Sequence, residues 1–330
     1  MKRVCTIGGG TGNFVVLRGL KHIIDLDISA IVSMADDGGS TGILRDELGV
    51  LPAGDARQCV VALSNSSRLM RNLMNYRFEN GGLRGHSFGN LFLSALEKVT
   101  GSFEKAVEEV GKILNIRGKV LPVTTQQVRL KMVLKDRTVL EGEKEIYLSQ
   151  EIDKGYKSIF LEPHPTANPQ AIDAILNADL IVIGPGGLHT SLIANLLVEG
   201  VAEAVLKSKA VKVFVVNLMN RKGQTTNFKV SDYIKEISKF IGADVFDYIL
   251  VNSELPPKEL IEVYREEGDL VKNDMDDPRV VAIPMLGGLQ KEDGNDLMKR
   301  NLIRHDSGKL AEALLKIVGK IEDLCCSFSI

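Results

Sequence analysis

Four glycine-rich stretches hold most of the residues in this chain that have the types and spacing for chemistry. The first, Gly8-Gly9-Gly10-Thr11-Gly12-Asn13, packs four glycines into five residues. Such a run lets backbone approach a ligand closely and leaves the amides of a following helix to receive phosphate oxygens. The second, Ala35 to Gly42 (ADDGGSTG), and the third, Leu51 to Arg57 (LPAGDAR), carry Asp36, Asp37 and Asp55. Neighbouring carboxylates repel unless a cation, a ligand hydroxyl or water lies between them. A Mg²⁺ site is therefore one reading, and a helix cap plus a solvent-facing aspartate is the other. The fourth, Gly184 to Ser191 (GPGGLHTS), offers the amides of Gly184, Gly186 and Gly187 and the hydroxyl of Thr190 to a second phosphate or a sugar.

The first stretch departs from two familiar patterns. Counted from Gly8, a dinucleotide fingerprint would need glycine where Asn13 stands, and no G-x-x-x-x-G-K-[ST] occurs. Asp36, after the second apolar run, still occupies the place of a ribose-binding acid, which keeps NAD open as a ligand. The sequence Gly85-His86-Ser87-Phe88-Gly89 spells a nucleophile elbow, yet the polar, glycine-rich RFENGGLRG precedes it where that motif needs a buried strand. Read with Asn90, it is a loop-to-helix junction whose His86, Ser87 and Asn90 orient a ligand or satisfy buried amides. No catalytic residue is assigned, and no spacing settles whether a metal is held.

These loops need elements to aim them. Arg3 to Ile7 is an apolar run ending in glycine, Phe14, Leu17, Leu20 and Ile24 follow at helical spacing, and Ile28 to Met34 reads as a buried strand. That is a βαβ unit. Further apolar runs at 157–161, 179–184, 211–218, 247–252 and 279–284 alternate with helical patterns at 89–99, 103–114, 169–177, 231–241 and 309–321. The alternation predicts an α/β fold, a Rossmann-like doubly wound, mainly parallel sheet with helices on both faces. Apolar and polar residues alternate through VRLKMVLKDRTVLEGEKEI, which predicts a small antiparallel insertion, a flap at about 115–155 within a single domain spanning 1–330.

Composition narrows the partners. With 41 basic and 43 acidic residues the formal charge is -2, so the broad positive field of a nucleic-acid binder is missing. No run reaches the roughly 18 apolar residues of a membrane span, and MKRVCTIGGG lacks the apolar core of a signal peptide, so a cytoplasmic protein without membrane insertion is expected. Cys5, Cys59, Cys325 and Cys326 have no C-x-x-C spacing and read as structural thiols. Self-association into a homo-oligomer is left open.

Taken together, GGGTG at 8–12, ADDGGSTG at 35–42, GDAR at 54–57, GHSFGNL at 85–91, NPQAIDAILNADLIVIGPG at 168–186 and IRHD at 303–306 resemble the YvcK (gluconeogenesis factor) family, relatives of the CofD-type 2-phospholactate transferases. The resemblance implies a nucleotide-diphosphate pocket. On the YvcK side it implies a regulatory protein that binds a UDP-sugar such as UDP-N-acetylglucosamine and links carbon metabolism to cell-wall synthesis and cell shape, with no required cofactor. On the CofD side it implies Mg²⁺-dependent phospholactyl transfer. It adds Tyr264, in VYREEG, and Arg304, in IRHD, as ligand contacts beside Asn217 and Arg57. The sequence departs from the family pattern in GPGGLHTS and in NLMNRKGQTTNF (217–228), where the family carries serine and tyrosine in the first and a T-Q-P-G-E-T-like run in the second.

Overall fold

The computed structural model describes residues 1–288 and 303–327, with 320–327 given by backbone alone. The strands are β1 (Lys2–Gly8), β2 (Leu26–Val32), β3 (Lys119–Pro122), β4 (Arg129–Leu134), β5 (Val139–Glu141), β6 (Tyr156–Glu162), β7 (Leu180–Ile183), β8 (Val211–Val215), β9 (Tyr248–Asn252) and β10 (Val280–Ile283). Seven form a parallel sheet in the order β10-β9-β8-β7-β1-β2-β3, and β5-β4-β6 form a small antiparallel one. β1 aligns Val4 with Ile28 of β2 on one side and with Leu180 of β7 on the other. Chain order therefore reverses at the β1/β7 boundary. In open α/β sheets the crevice at such a switch point, beyond the strands' carboxyl ends, is where ligands collect.

The helices are α1 (Gly10–Leu20), α2 (Gly39–Leu48), α3 (Ala53–Leu63), α4 (Arg68–Asn75), α5 (Phe88–Thr100), α6 (Phe103–Ile113), α7 (Glu143–Leu148), α8 (Pro169–Leu176), α9 (Ala194–Leu196), α10 (Val201–Lys207), α11 (Val230–Ile241), α12 (Lys258–Tyr264) and α13 (Ser307–Ser327). A π-helical turn, Leu188–Ile193, leads into α9. The apolar stripe of α1 buries Leu17 and Leu20 while α1 packs on α3 and α13; α10 packs on α8 and α11. Each fully buried leucine or isoleucine is worth roughly 1.5–3 kcal/mol against exposure. One continuous core joins Ile7, Ile31 and Val182 of the main sheet to Leu130, Met132 and Ile159 of the small one.

Two expectations are corrected. The run 157–161 lies in β6, which pairs antiparallel with β4 and not in the main sheet; its pattern, with only Ile159 and Leu161 buried, is that of a half-exposed strand. The insertion also sits later than 115–155. Residues 119–122 form the parallel edge strand β3, and the antiparallel sheet runs from β4 at 129 through β6 at 162. Cys5 and Cys59 are buried free thiols, and burial pushes both well above the usual thiol range. The Cys325 and Cys326 side chains lie outside the described residues. No helix among the described residues is long and apolar enough to cross a membrane.

Candidate functional site

A cleft of about 260 Å³ opens at the β1/β7 switch point. Gly9, Gly10, Thr11 and Gly12 line it from the start of α1, and Gly186, Gly187 and Thr190 from the loop after β7. The two loops touch: a methyl group on Gly12 would stand 2.0 Å from the Pro185 carbonyl oxygen. Only glycine allows that approach. Gly10 adopts φ 58° and Gly184 φ 76°, the left-handed region that favours glycine. Buried Asn195 ties the loops from below, its Nδ2 donating to the Gly8 and Ser191 carbonyls at 3.3 and 2.8 Å. Asn217 holds the fourth stretch from the side: Gly186 N donates to Asn217 Oδ1 at 3.0 Å, and Asn217 Nδ2 returns a bond to Gly186 O at 2.8 Å.

Four elements begin on this cleft: α1 after Gly9, α2 after Gly38, α3 after Pro52, and the π-helical turn after Gly187. None has a side-chain cap on its first amides, whereas Ser67, Ser87, Ser102 and Asn168 cap α4, α5, α6 and α8. Helices α9, α10, α11 and α12 also lack a side-chain cap from the N-cap residue, so an uncapped start is not confined to the cleft. Uncapped helix starts present N–H groups and the positive end of the helix dipole to whatever occupies the space. The stretches 35–42 and 51–57, expected as loops, turn helical at Gly39 and Ala53, so Asp55 and Arg57 stand on the first turns of α3.

Asp36 and Asp37 diverge. Asp36 lines the cleft, its Oδ1 accepting from Gly38 N at 2.9 Å. Asp37 turns to the insertion, where its Oδ1 accepts from Lys144 N at 2.7 Å and so caps the start of α7, with the Arg45 and Arg129 guanidiniums 4.0 and 3.9 Å from its Oδ2. One aspartate thus faces the cleft and the other anchors the flap. That anchor brings Glu143 and Tyr147, one helical turn apart on α7, to the cleft wall. Burial, then the charges of Asp36, Asp55 and Asp37, raises the Glu143 carboxyl well above the usual carboxylate range; a hydrogen bond with Thr190 partly opposes this. Its Oε2 is buried without a hydrogen-bond partner. Among the described residues no group of three or more His, Cys, Asp or Glu side chains is placed to hold a metal ion by itself.

Arg57, Asn90 and Arg304 also line the cleft. Arg57 Nε donates to Asn90 Oδ1 at 2.9 Å and Asn90 Nδ2 to Thr41 Oγ1 at 3.2 Å, a buried chain linking α3, α5 and α2. Asn13, Asp37, His86, Ser87, Gly184 and Tyr264, all expected at a ligand, lie outside the cleft lining. Asn13 Nδ2 faces Cys59 Sγ, His86 Nδ1 pairs with Ser40 Oγ at 3.1 Å, and Ser87 Oγ accepts from Asn90 N at 3.1 Å as the cap of α5. Tyr264 is buried with Leu218, Met219 and Ile303, its hydroxyl accepting from Ile303 N at 3.2 Å, so it backs the wall that Arg304 extends. An elbow serine needs an exposed hydroxyl beside a base; Ser87 is 1% exposed and spent on a cap.

The second departing stretch supplies residues that sequence reasoning did not name. Arg221, Gln224 and Thr225 line the cleft, the first two in contact with α7. The Arg221 guanidinium lies 3.6 Å from the centroid of the Tyr147 ring, and its Nε donates to Tyr147 O at 3.1 Å. Gln224 Nε2 donates to the Ile146 carbonyl at 3.1 Å. The polar cluster after β8 was the available signal, but its partner was invisible without the flap's position. His305 also lines the cleft, bonded to the Val216 backbone, with Nε2 buried and without a partner; burial lowers it to about 4.

The model of the family described as 2-phospho-L-lactate transferase CofD matches residues 4–286. The gluconeogenesis factor of Bacillus subtilis is 41% identical over 319 residues, covering 96% of this chain and 98% of that protein. The gluconeogenesis factor of Halalkalibacterium halodurans is 40% identical over 317 residues, covering 96% of each. A crystal structure of a UPF0052 family member from Bacillus halodurans superposes with a TM-score of 0.86 at 38% identity, covering 96% of this chain and all of that one.

Proposed function

The chain belongs to the CofD family, and we propose that its cleft binds a nucleotide diphosphate joined to a sugar, a ligand of the UDP-N-acetylglucosamine type. The observation that carries this reading is the convergence of four helical starts without side-chain caps on a switch-point cleft lined by glycine backbone. Two phosphate groups match the two apposed loops, one at Gly9 to Gly12 and one at Gly186 to Thr190. Arg304 supplies a guanidinium for the diphosphate, which suits bidentate phosphate geometry. The chain resembles proteins named gluconeogenesis factor over nearly its whole length, which supports a role in carbon metabolism; on our reading the role is regulatory, and a nucleotide-sugar ligand would tie it to cell-wall synthesis and cell shape. Calorimetric titration with UDP-N-acetylglucosamine should give saturable binding, with NAD as a competing arm. No binding of any UDP-sugar into the high micromolar range overturns the reading, and tight NAD binding replaces it.

One observation favours a second reading, a phospholactyl-type transferase. Asp36 and Asp55 stand in the cleft beside the partnerless Oε2 of Glu143. Mg²⁺ is commonly held by one or two carboxylates together with ligand phosphates, so Asp36 and Asp55 fit it without a complete protein cage. When bound there it would neutralise charge on the diphosphate. Turnover of a guanosine-diphosphate-linked donor with a deazaflavin acceptor, abolished by EDTA, would establish this reading; inactivity with both present would remove it.

A further inference from the structure

The arginines of the cleft differ in what they have left to offer. Arg57 is committed through Nε to Asn90 and through Nη1 to the Met74 carbonyl, and Arg77 Nη1 donates to Gly85 O at 2.9 Å. Arg221 is held in another way. Its flat face rests on the Tyr147 ring and its Nε is spent on the Tyr147 carbonyl, while Gln224 takes the neighbouring carbonyl of Ile146. The guanidinium plane is fixed by these contacts, and the pair of terminal amino groups is what remains for the cleft that Arg221 lines.

We propose that Arg221, held flat on Tyr147, can read a carboxylate on the part of the ligand beyond the diphosphate, so that a nucleotide-linked sugar with C6 oxidised to the acid binds more tightly than its neutral counterpart. The proposal rests on the nucleotide-diphosphate reading of the cleft. Two parallel N–H donors match the two oxygens of a carboxylate, and a guanidinium already stacked loses little freedom on pairing. A phosphomonoester would fit the same fork, but charge opposes it more. It carries up to two negative charges, and Asp36, Asp55 and Glu143 line the same cleft. Arg221 belongs to the stretch after β8 and meets Tyr147 of α7, so it enters the cleft from the flap and from neither glycine loop. A group recognised there is one that extends past the phosphate loops.

The test is calorimetric titration of the full chain with UDP, UDP-glucose and UDP-glucuronate, the two sugars differing only in the oxidation of C6 from hydroxymethyl to carboxylate. The expected result is at least a tenfold preference for the glucuronate. In Arg221→Gln the ratio of the two affinities should fall to about one, and in Tyr147→Leu, which removes the stacking face, it should fall part of the way. Thermal unfolding and binding of UDP itself check that each variant is folded. Equal affinities for the two sugars in the unaltered protein, or a preference that survives Arg221→Gln, overturn the proposal alone. Failure of UDP and both sugars to bind overturns the cleft reading together with it.

Discussion

Replacing Gly12 by alanine tests whether the apposed loops are the binding device. The added methyl would lie 2.0 Å from the Pro185 carbonyl oxygen, 2.6 Å from its carbonyl carbon and 3.1 Å from Gly186 Cα, where ordinary contact begins at 3.4 Å. The obstacle is backbone, so no side chain can swing aside, and the loops must part by about 1.4 Å. Overpacking of this kind costs about 1–3 kcal/mol. With an unfolding entropy of about 2.1 cal/mol/K per residue, a loss of 2 kcal/mol in a chain of this length lowers Tm by about 3 °C. Binding should suffer more than stability. An amide-to-phosphate bond near about 2.9 Å is lost when stretched by more than about 1 Å, and a hydrogen bond to a charged group is worth about 1.5–3 kcal/mol, so Kd for UDP-N-acetylglucosamine should rise at least about tenfold. Gly49→Ala is the control. Gly49 ends α2 at φ 62° with no atom within 4 Å of a built methyl, so it carries a left-handed strain of about 1–2 kcal/mol away from the loops. Its Tm should fall by about 2 °C and its Kd should hold. If calorimetry gives Gly12→Ala and Gly49→Ala the same affinity as the unaltered protein, the loops are packed for stability and the argument from their contact fails.

Three further outcomes follow from the same geometry. Asn217→Ala removes both bonds to Gly186 and should cost about 1–3 kcal/mol, seen as a Tm lower by about 2–4 °C and as weaker UDP-sugar binding; unchanged binding would relieve Asn217 of its role in shaping the loop. Ser87→Ala loses the cap of α5 and should lower Tm by about 1–2 °C, while a fluorophosphonate probe leaves Ser87 unlabelled in the unaltered protein; labelling there would revive the nucleophile reading. Burial lowers His189 and His305 from 6.5 to about 4, so the folded rings are neutral where unfolded ones take up protons. Stability from this source is complete above about pH 6.5 and declines as pH falls toward 4, by at most about 3 kcal/mol for each ring. Urea unfolding across that window should show the decline, and His305→Asn should remove that ring's share and leave the share of His189; an unchanged slope would mean the His305 ring is already hydrated.

Much of the frame was legible because a buried parallel strand must be apolar on both faces. The runs at β1, β2, β7, β8 and β9 are of that kind, and their strand-to-helix turns carry the glycines that mark the cleft. Helix starts were legible where a cap stands, as at Asn168-Pro169, where the Asn168 side chain accepts from Gln170 N. They were not legible at Gly39 and Ala53, because sequence signals for a helix start are the capping residues, and these starts have none. The absence of a cap that hid the boundaries is what makes the amides useful. Run 157–161 was misplaced for a different reason: KSIFL has the β-branched and aromatic content of a strand, and a five-residue window cannot tell one buried face from two.

The cleft's second half was out of reach because its residues are brought together by register, not by motif. Glu143 and Tyr147 stand a turn apart on α7, opposite the buried Ile146, which in sequence is an ordinary short amphipathic helix. What sends that helix to the cleft is Asp37 at its amino end, 107 positions from Lys144, together with Arg221 and Gln224 at its carboxyl end. Each of these contacts spends a polar group that reads alone as solvated. The glycine loops can be recognised from the chain because glycine there answers a local demand of backbone. The flap residues answer a demand of the assembled fold, and so the part of the cleft that we propose selects among nucleotide-linked sugars is the part in which sequence comparison has least to work with. Selectivity should accordingly change when the stretch 217–228 is exchanged with that of a gluconeogenesis factor, while affinity for the nucleotide diphosphate itself stays with the loops at 8–12 and 184–187.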